Sequence, residues 1–236
     1  MRPLQDRLSL IQSRIVQASR KSGRDPRNIT LLGVSKGQSA KKILELARAG
    51  LRDFGENYVQ EWSAKKSEIE SLDPALAAEL RWHFIGHLQT NKAERVAGRV
   101  ALLQSIDSPK LAAKVSSLAE KDSLRQNALI EINLGGEASK TGLDPKALRE
   151  QLKFFSELPG IRWRGLMTIP PPLETPEASR PYFRELKSLL DECGRTGFFE
   201  EPLTELSMGM SQDFEVAIEE GATLVRVGTA LFGPRL

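Results

Sequence analysis

Cysteine is nearly absent. Cys193 is the only one in 236 residues, so no disulfide can form within the chain and no metal site can be built from several thiolates. That usage fits a reducing compartment, and a cytoplasmic location is expected. Histidine is almost as scarce, with only His83 and His87. They straddle a strand end instead of sharing a helix turn. The HExxH pattern is missing and no nearby cysteine completes a tetrahedral set, so no metal is expected. No run of about 20 apolar residues occurs, which argues against a membrane span. The opening MRPLQDRLSLIQSRIV carries charges throughout, unlike a secretory signal. A strong excess of one charge is lacking too. Lys and Arg number 34 against 31 Asp and Glu, a formal net charge of +3. No basic stripe interleaves with aromatics, so nucleic acid is not an expected partner. A mildly basic cleft would still suit a small anionic ligand.

What is present is regular alternation. Leu4, Leu8, Ile11 and Ile15 recur at helical spacing and predict an amphipathic helix over 4–22, ended by Gly23 and Asp25-Pro26. Strands are expected at 29–35, 51–54, 82–85, 100–106, 128–134, 162–169, 204–208 and 223–227. Helices are expected at 40–49, 56–71, 88–97, 109–121, 144–157, 176–193 and 212–220. Eight apolar strands, each but the last followed by a helix, imply a parallel sheet. The fold expected is α/β, a (β/α)8 TIM-type barrel, with an open doubly wound sheet as the competing arrangement.

The pattern stops at Leu236 after the eighth strand, without the usual last helix. The N-terminal helix is expected to cover that gap, and no C-terminal β domain is expected. Residues 1–236 are then expected to form one domain, in a monomer. Pro170-Pro171-Pro172 reads as a stiff loop, and 135–142 as a flexible polar one.

In such barrels the active site lies at the C-terminal ends of the strands. Lys36 ends an apolar strand there. A desolvated lysine supplies a neutral amine for Schiff-base formation, although an ordinary exposed strand-end lysine would look the same. The late loops SMGMS and GTALFG are rich in small residues, and phosphate sites in barrels are often made by these two loops. Ser211 would cap a helix starting near Gln212 and offer its hydroxyl, Gly228 would admit a close backbone approach, and Thr229 would add a second hydroxyl. Alternatively the glycines only turn the chain and Ser211 is only a cap. Arg226 interrupts an apolar strand on one face with Leu224 and Gly228. Inside a barrel it needs a partner or ligand; facing outward it would pair with Glu219 or Glu220. Taken jointly, a Schiff-base lysine, a two-loop phosphate cradle and an arginine for a ring nitrogen describe a site for pyridoxal 5'-phosphate (PLP).

The segments LLGVSK (31–36), DFGENYVQE (53–61), WHFIGHLQTNK (82–92), GLMTIPP (165–171) and LSMGMSQDFEVAIEEGATLVRVGTALFG (206–233) cover the chain nearly end to end. In these the sequence resembles the PLP homeostasis proteins (the YggS/PROSC family), whose fold is similar to the N-terminal barrel of alanine racemase. The resemblance implies that Lys36 carries PLP as a Schiff base. It further implies that Ser211, Gly228 and Thr229 hold the phosphate with Met210 beside it, that Arg226 faces the pyridine nitrogen, and that Asn57 and His83 lie near the ring. One departure is visible: Gly37-Gln38-Ser39 stands where the family often has a Thr-x-Pro turn.

Racemisation needs acid/base groups on both faces of the reacting carbon. In alanine racemase a tyrosine from a further domain serves the second face, and here only Tyr58 and Tyr182 are available. The expectation is therefore a non-catalytic protein that buffers PLP or delivers it to PLP-dependent apo-enzymes. A weak PLP-dependent racemase is the alternative, with the arginine arguing against transamination.

Overall fold

The computed structural model describes residues 3–136 and 141–233. Helix α1 (Leu4–Lys21) buries Leu8, Ile11, Ile15 and Ala18, one stripe at helical spacing. Asp6 in its first turn and Arg20 and Lys21 in its last suit the helix dipole. Gly23, at φ +67°, turns the chain away.

From there strands and helices alternate: β1 (Thr30–Val34), α2 (Ala40–Arg48), β2 (Asp53–Glu56), α3 (Val59–Leu72), α4 (Pro74–Glu79) and β3 (Arg81–Phe84). Next come a 3₁₀ turn at Thr90–Arg95, β4 (Leu102–Ile106), α5 (Pro109–Lys121), β5 (Gln126–Ile132), α6 (Pro145–Ser156) and β6 (Ile161–Thr168). A second 3₁₀ turn (Pro176–Ser179) leads into α7 (Arg180–Arg195), β7 (Glu205–Ser207), α8 (Phe214–Glu219), β8 (Leu224–Val227) and α9 (Thr229–Phe232).

All eight strands pair in parallel in sequence order, and the sheet closes on itself. The closing seam sets Thr30 opposite Leu224 and Gly33 opposite Val227. An open doubly wound sheet is thereby ruled out, and the (β/α)8 barrel stands. Helix α1 packs against α2, α8 and α9, so it covers the seam where β8 meets β1. The single turn α9 also sits after β8, where the sequence shows no helical period.

Strand alternation divides the core in two. Outward side chains such as Phe54, Trp82, Leu103, Ile130, Leu166 and Val225 join the large apolar cluster under the helices. Inside the barrel, Leu102, Leu129, Met167 and Leu224 form a separate small cluster. Polar side chains share the interior: Asp53, His83, Gln104, Ser207 and Arg226 are all buried.

Three expectations need correction. Strand β2 lies at Asp53–Glu56 and not at 51–54, running on to Glu56 because that acid finds buried partners in Lys65 and Ser35. The expected helix at 88–97 is a 3₁₀ turn. Helix α4 separates β3 from α3, capped by Asp73, whose carboxylate accepts from Leu76 N–H, with Pro74 at the first position. Of the loop 135–142, residues 137–140 lie outside the described residues. Among the described residues no helix is long and apolar enough to cross a membrane, and no group of three or more His, Cys, Asp or Glu is placed to hold a metal ion.

Candidate functional site

A cavity of about 870 Å³ opens at the C-terminal mouth of the barrel. Lys36, Asn57, Met210, Ser211, Arg226, Gly228 and Thr229 all line it. So do Arg14 of α1 and the triproline stretch Pro170–Pro172. Each reaches the wall for a local reason.

Lys36 leaves β1 on a tight turn and is half-buried. The Ser35 carbonyl accepts the Gln38 N–H at 2.9 Å, and Gly37 takes φ +70°. A glycine in the left-handed region at the third position is the signature of a type II turn. The departure at Gly37-Gln38-Ser39 is therefore a turn built on glycine. Ser39 then caps α2 by accepting from Lys42 N–H.

Asn57 follows β2 and packs against β3. A Cβ at Gly86 would come within 2.2 Å of the Asn57 carbonyl oxygen, so glycine permits that approach. Asn57 Oδ1 is buried and has no hydrogen-bond partner among the described residues. A buried acceptor at a cavity wall is suited to a ligand that donates.

The late loops are tied to each other. Gly209 adopts φ +88°, and a Cβ there would sit 2.5 Å from Ala217 Cβ. Its carbonyl accepts the Arg226 N–H at 3.0 Å. Asp213 closes the next turn: one carboxylate oxygen accepts from Met210 N–H at 2.7 Å and the other from Ser179 Oγ at 2.8 Å. This corrects the expected cap. Helix α8 starts at Phe214, with Asp213 and not Ser211 before it. Ser211 Oγ instead accepts the Ala230 N–H at 3.3 Å, joining the two loops directly.

Arg226 points inward. Its Nη1 donates to Ser207 Oγ at 2.6 Å and its Nη2 to the Thr168 carbonyl at 2.8 Å. Outward pairing is excluded, since Glu219 and Glu220 are held by Arg180 at 2.7 and 2.5 Å. Burial pulls the guanidinium down to about 10, opposed by Asp213 and Glu131, so it keeps its charge at neutral pH.

His83, expected beside the ring, is not on the cavity wall. It belongs to a chain of hydrogen bonds running through the barrel interior. Arginine has only donors, so Ser207 accepts from Arg226 and sends its own proton on to Gln104 Oε1 at 2.6 Å. That leaves the Gln104 amide nitrogen facing His83 Nδ1 at 2.9 Å. His83 Nε2 lies 3.1 Å from Asp53 Oδ1, and Asp53 takes two bonds from Arg81. Burial pushes Asp53 up, but bonds from His83 and Arg81 outweigh it and hold its carboxyl below the usual range. As a carboxylate it can only accept, so the His83 proton sits on Nε2. His83 thus acts two side chains away from Arg226. His87 is separate, with its Nδ1 2.8 Å from Asp107.

Fold and cavity define a class: a closed parallel barrel with a lysine, an inward arginine and two hydroxyl-bearing late loops around one mouth. The family model described as alanine racemase, N-terminal domain, matches residues 9–235. The pyridoxal phosphate homeostasis protein of Aquifex aeolicus (strain VF5) is 47% identical over 230 residues, covering 98% of this chain and 97% of that one. That of Pseudomonas aeruginosa is 40% identical over 235 residues, covering 100% of this chain and 97% of its own. Among solved structures, PipY of Synechococcus elongatus PCC7942 with PLP bound superposes with a TM-score of 0.85 at 34% identity, covering 98% of this chain and all of that one. The chain belongs to the pyridoxal phosphate homeostasis family (YggS/PROSC).

Proposed function

We propose that this protein binds PLP in the mouth cavity, as a Schiff base on Lys36, and serves cytoplasmic PLP and amino-acid homeostasis without turnover of its own. The observation that carries the reading is the convergence of Lys36, Asn57, Arg226, Ser211 and Thr229 on one cavity. The glycine-shaped late loops suit a small anion, and the buried, unpartnered Asn57 Oδ1 suits a donor on the same ligand. PipY, of similar fold, is known with PLP bound.

PLP supplies an aldehyde that condenses with an amine, with loss of water. Lys36 would provide the amine at the rim. Ser211 and Thr229 would donate hydroxyl protons to the phosphate, with Gly228 and Met210 beside them. Asn57 would lie along the ring. Arg226, anchored by Ser207 and Thr168, has only donors to offer, so a ring nitrogen facing it accepts and stays unprotonated. An unprotonated ring is a poor electron sink, which argues against transamination.

Racemisation needs a second acid/base group, which in alanine racemase is a tyrosine. Neither Tyr58 nor Tyr182 is among the lining residues, and Tyr58 is 64% exposed. In this reading the protein works as a monomer that releases PLP to apo-enzymes past the exposed rim side chains Ile169 and Met210.

The test is the absorption spectrum with PLP, before and after borohydride. A visible band should form, and the reduced adduct should map to the peptide containing Lys36. In Lys36→Ala the covalent adduct should vanish while weaker binding through the phosphate persists. An adduct of equal yield on another lysine refutes the assignment. Loss of chirality of an L-amino acid well above the rate with PLP alone, abolished in Lys36→Ala, would show a racemase instead.

A further inference from the structure

Lys65 is a second lysine beside the site, and nothing in the proposed PLP chemistry uses it. It lies in α3 and is buried, although lysine is rarely buried without compensation. Its Nζ donates at 2.6 Å to each of three acceptors: the Ser35 carbonyl, Glu56 Oε1 and Glu61 Oε1. The same Glu61 oxygen accepts the Gly37 N–H at 2.5 Å. Glu56, fully buried, also accepts from Ser35 Oγ at 2.6 Å.

The consequence is geometric. Ser35 and Gly37 flank Lys36, and both are held by one ammonium–carboxylate unit: Ser35 through its carbonyl and hydroxyl, Gly37 through its N–H. A type II turn has one internal hydrogen bond of its own, and here the turn is bracketed from both sides by charge-assisted bonds, which are about twice as strong as neutral ones. The bracket stands on α3, packed against α2 and β2, so the Lys36 backbone is referred to the frame of the barrel.

We propose that Lys65 and Glu61 are positioning residues that fix the backbone of Lys36 so that its amine is presented at the cavity mouth. This rests on the PLP reading above. The step they serve is balanced by its own reactants: the Lys36 nitrogen bonds to the aldehyde carbon, the C=O bond breaks, and the oxygen leaves as water with both amine protons.

The test separates positioning from binding with two probes. PLP reports covalent capture, followed by absorbance and borohydride trapping. Pyridoxine 5'-phosphate, which lacks the aldehyde, reports the cavity and its phosphate loops alone. Lys65→Met and Glu61→Ala should slow covalent capture by about ten- to a hundredfold, as expected for misplacing a reacting group by about an ångström. Affinity for pyridoxine 5'-phosphate should stay at the wild-type value in both. Lys65→Arg, which keeps the charge and donors, should recover part of the rate.

Lys65→Met leaves two carboxylates uncompensated, so Glu61→Ala is the decisive variant if Lys65→Met does not fold. A wild-type capture rate in folded Glu61→Ala overturns the proposal, as does an equal loss of pyridoxine 5'-phosphate binding. Failure of the wild-type protein to capture PLP at all would instead strike the PLP reading itself.

Discussion

Arg226 and His83 do not touch, yet each fixes the hydrogen-bonding role of the other through Ser207 and Gln104. The direction of every bond follows from one end: an arginine that can only donate forces the serine, the glutamine and the histidine into one orientation each. The other end, Asp53, can only accept and demands the same arrangement. The polar chain through the barrel interior is therefore unambiguous, and the guanidinium at the cavity floor is held in a fixed attitude.

Removing the middle of this chain should be costly. Gln104→Leu strands Ser207 and the His83 ring together, and each buried group left without a partner costs about 1–3 kcal/mol. A loss of about 2–4 kcal/mol is expected, read as a lower urea midpoint. Nitrogen-15 NMR of the wild-type protein, with two histidines to assign, should place the His83 proton on Nε2. A proton on Nδ1 would mean the chain runs differently.

The late loops make a prediction about phosphate. Thr229→Ala removes one hydroxyl from the cavity wall, and its effect should fall on PLP and not on pyridoxal. Loss of one charge-assisted bond is worth about 1.5–3 kcal/mol, roughly a ten- to hundredfold weaker PLP affinity, with thermal stability unchanged. If PLP and pyridoxal bind the wild-type protein equally well, the phosphate assignment fails. Gly209→Ala behaves differently, because its Cβ meets Ala217 at 2.5 Å and the backbone has φ +88°. It should lower stability itself, by more than about 1 kcal/mol.

Acid should weaken the fold through Asp53. Its carboxyl is held below the ordinary range by His83 and Arg81 against the opposing effect of burial. A lowered folded value stabilises the protein above the unfolded value of about 3.9, and that stabilisation is lost as pH falls below it through the folded value. Asp53→Ala should remove this part of the acid transition and cost about 2 kcal/mol at neutral pH. Denaturation midpoints of the two proteins measured from pH 6 downward should converge. Parallel curves would show that Asp53 carries no such linkage.

Cys193 should be inert in the folded protein. It is buried in α7, and burial pushes its thiol up to about 11, so little thiolate exists at pH 8. A thiol reagent should label it only after denaturation. Rapid stoichiometric labelling of the native protein would contradict the packing of α7.

Much of this was legible because strand and helix periods in a parallel barrel are strong signals. Eight strands, their order and the seam-covering α1 follow from apolar runs alternating with amphipathic segments. On the cavity wall, Lys36, Gly228 and Thr229 were findable because they follow strand ends, Ser211 because it lies in a small-residue loop after β7, and Arg226 because it interrupts an apolar strand. The failures have a common cause, charge paired inside the fold. Strand β2 was ended too early because Glu56 looks unfit for a buried strand until Lys65 and Ser35 are seen beside it. Lys65 and Glu61 were missed because an i, i+4 pair on a helix ordinarily reads as a solvated face. The cap expected of Ser211 went wrong because Asp213, two residues on, takes the place before α8. The pair Asp73-Pro74 did carry a helix-start signal for α4, and it was readable.

The barrel seam also has a consequence for how the molecule comes into being. Lys36 follows β1 and the late loops follow β7 and β8, so no partial chain emerging from the ribosome holds both. Contacts this distant along the sequence form late and slowly. On the proposed reading the pocket reports on completion: a nascent or half-folded copy would offer an amine with nothing to seat an aldehyde against it, and only the finished ring would withdraw the reactive vitamin from circulation.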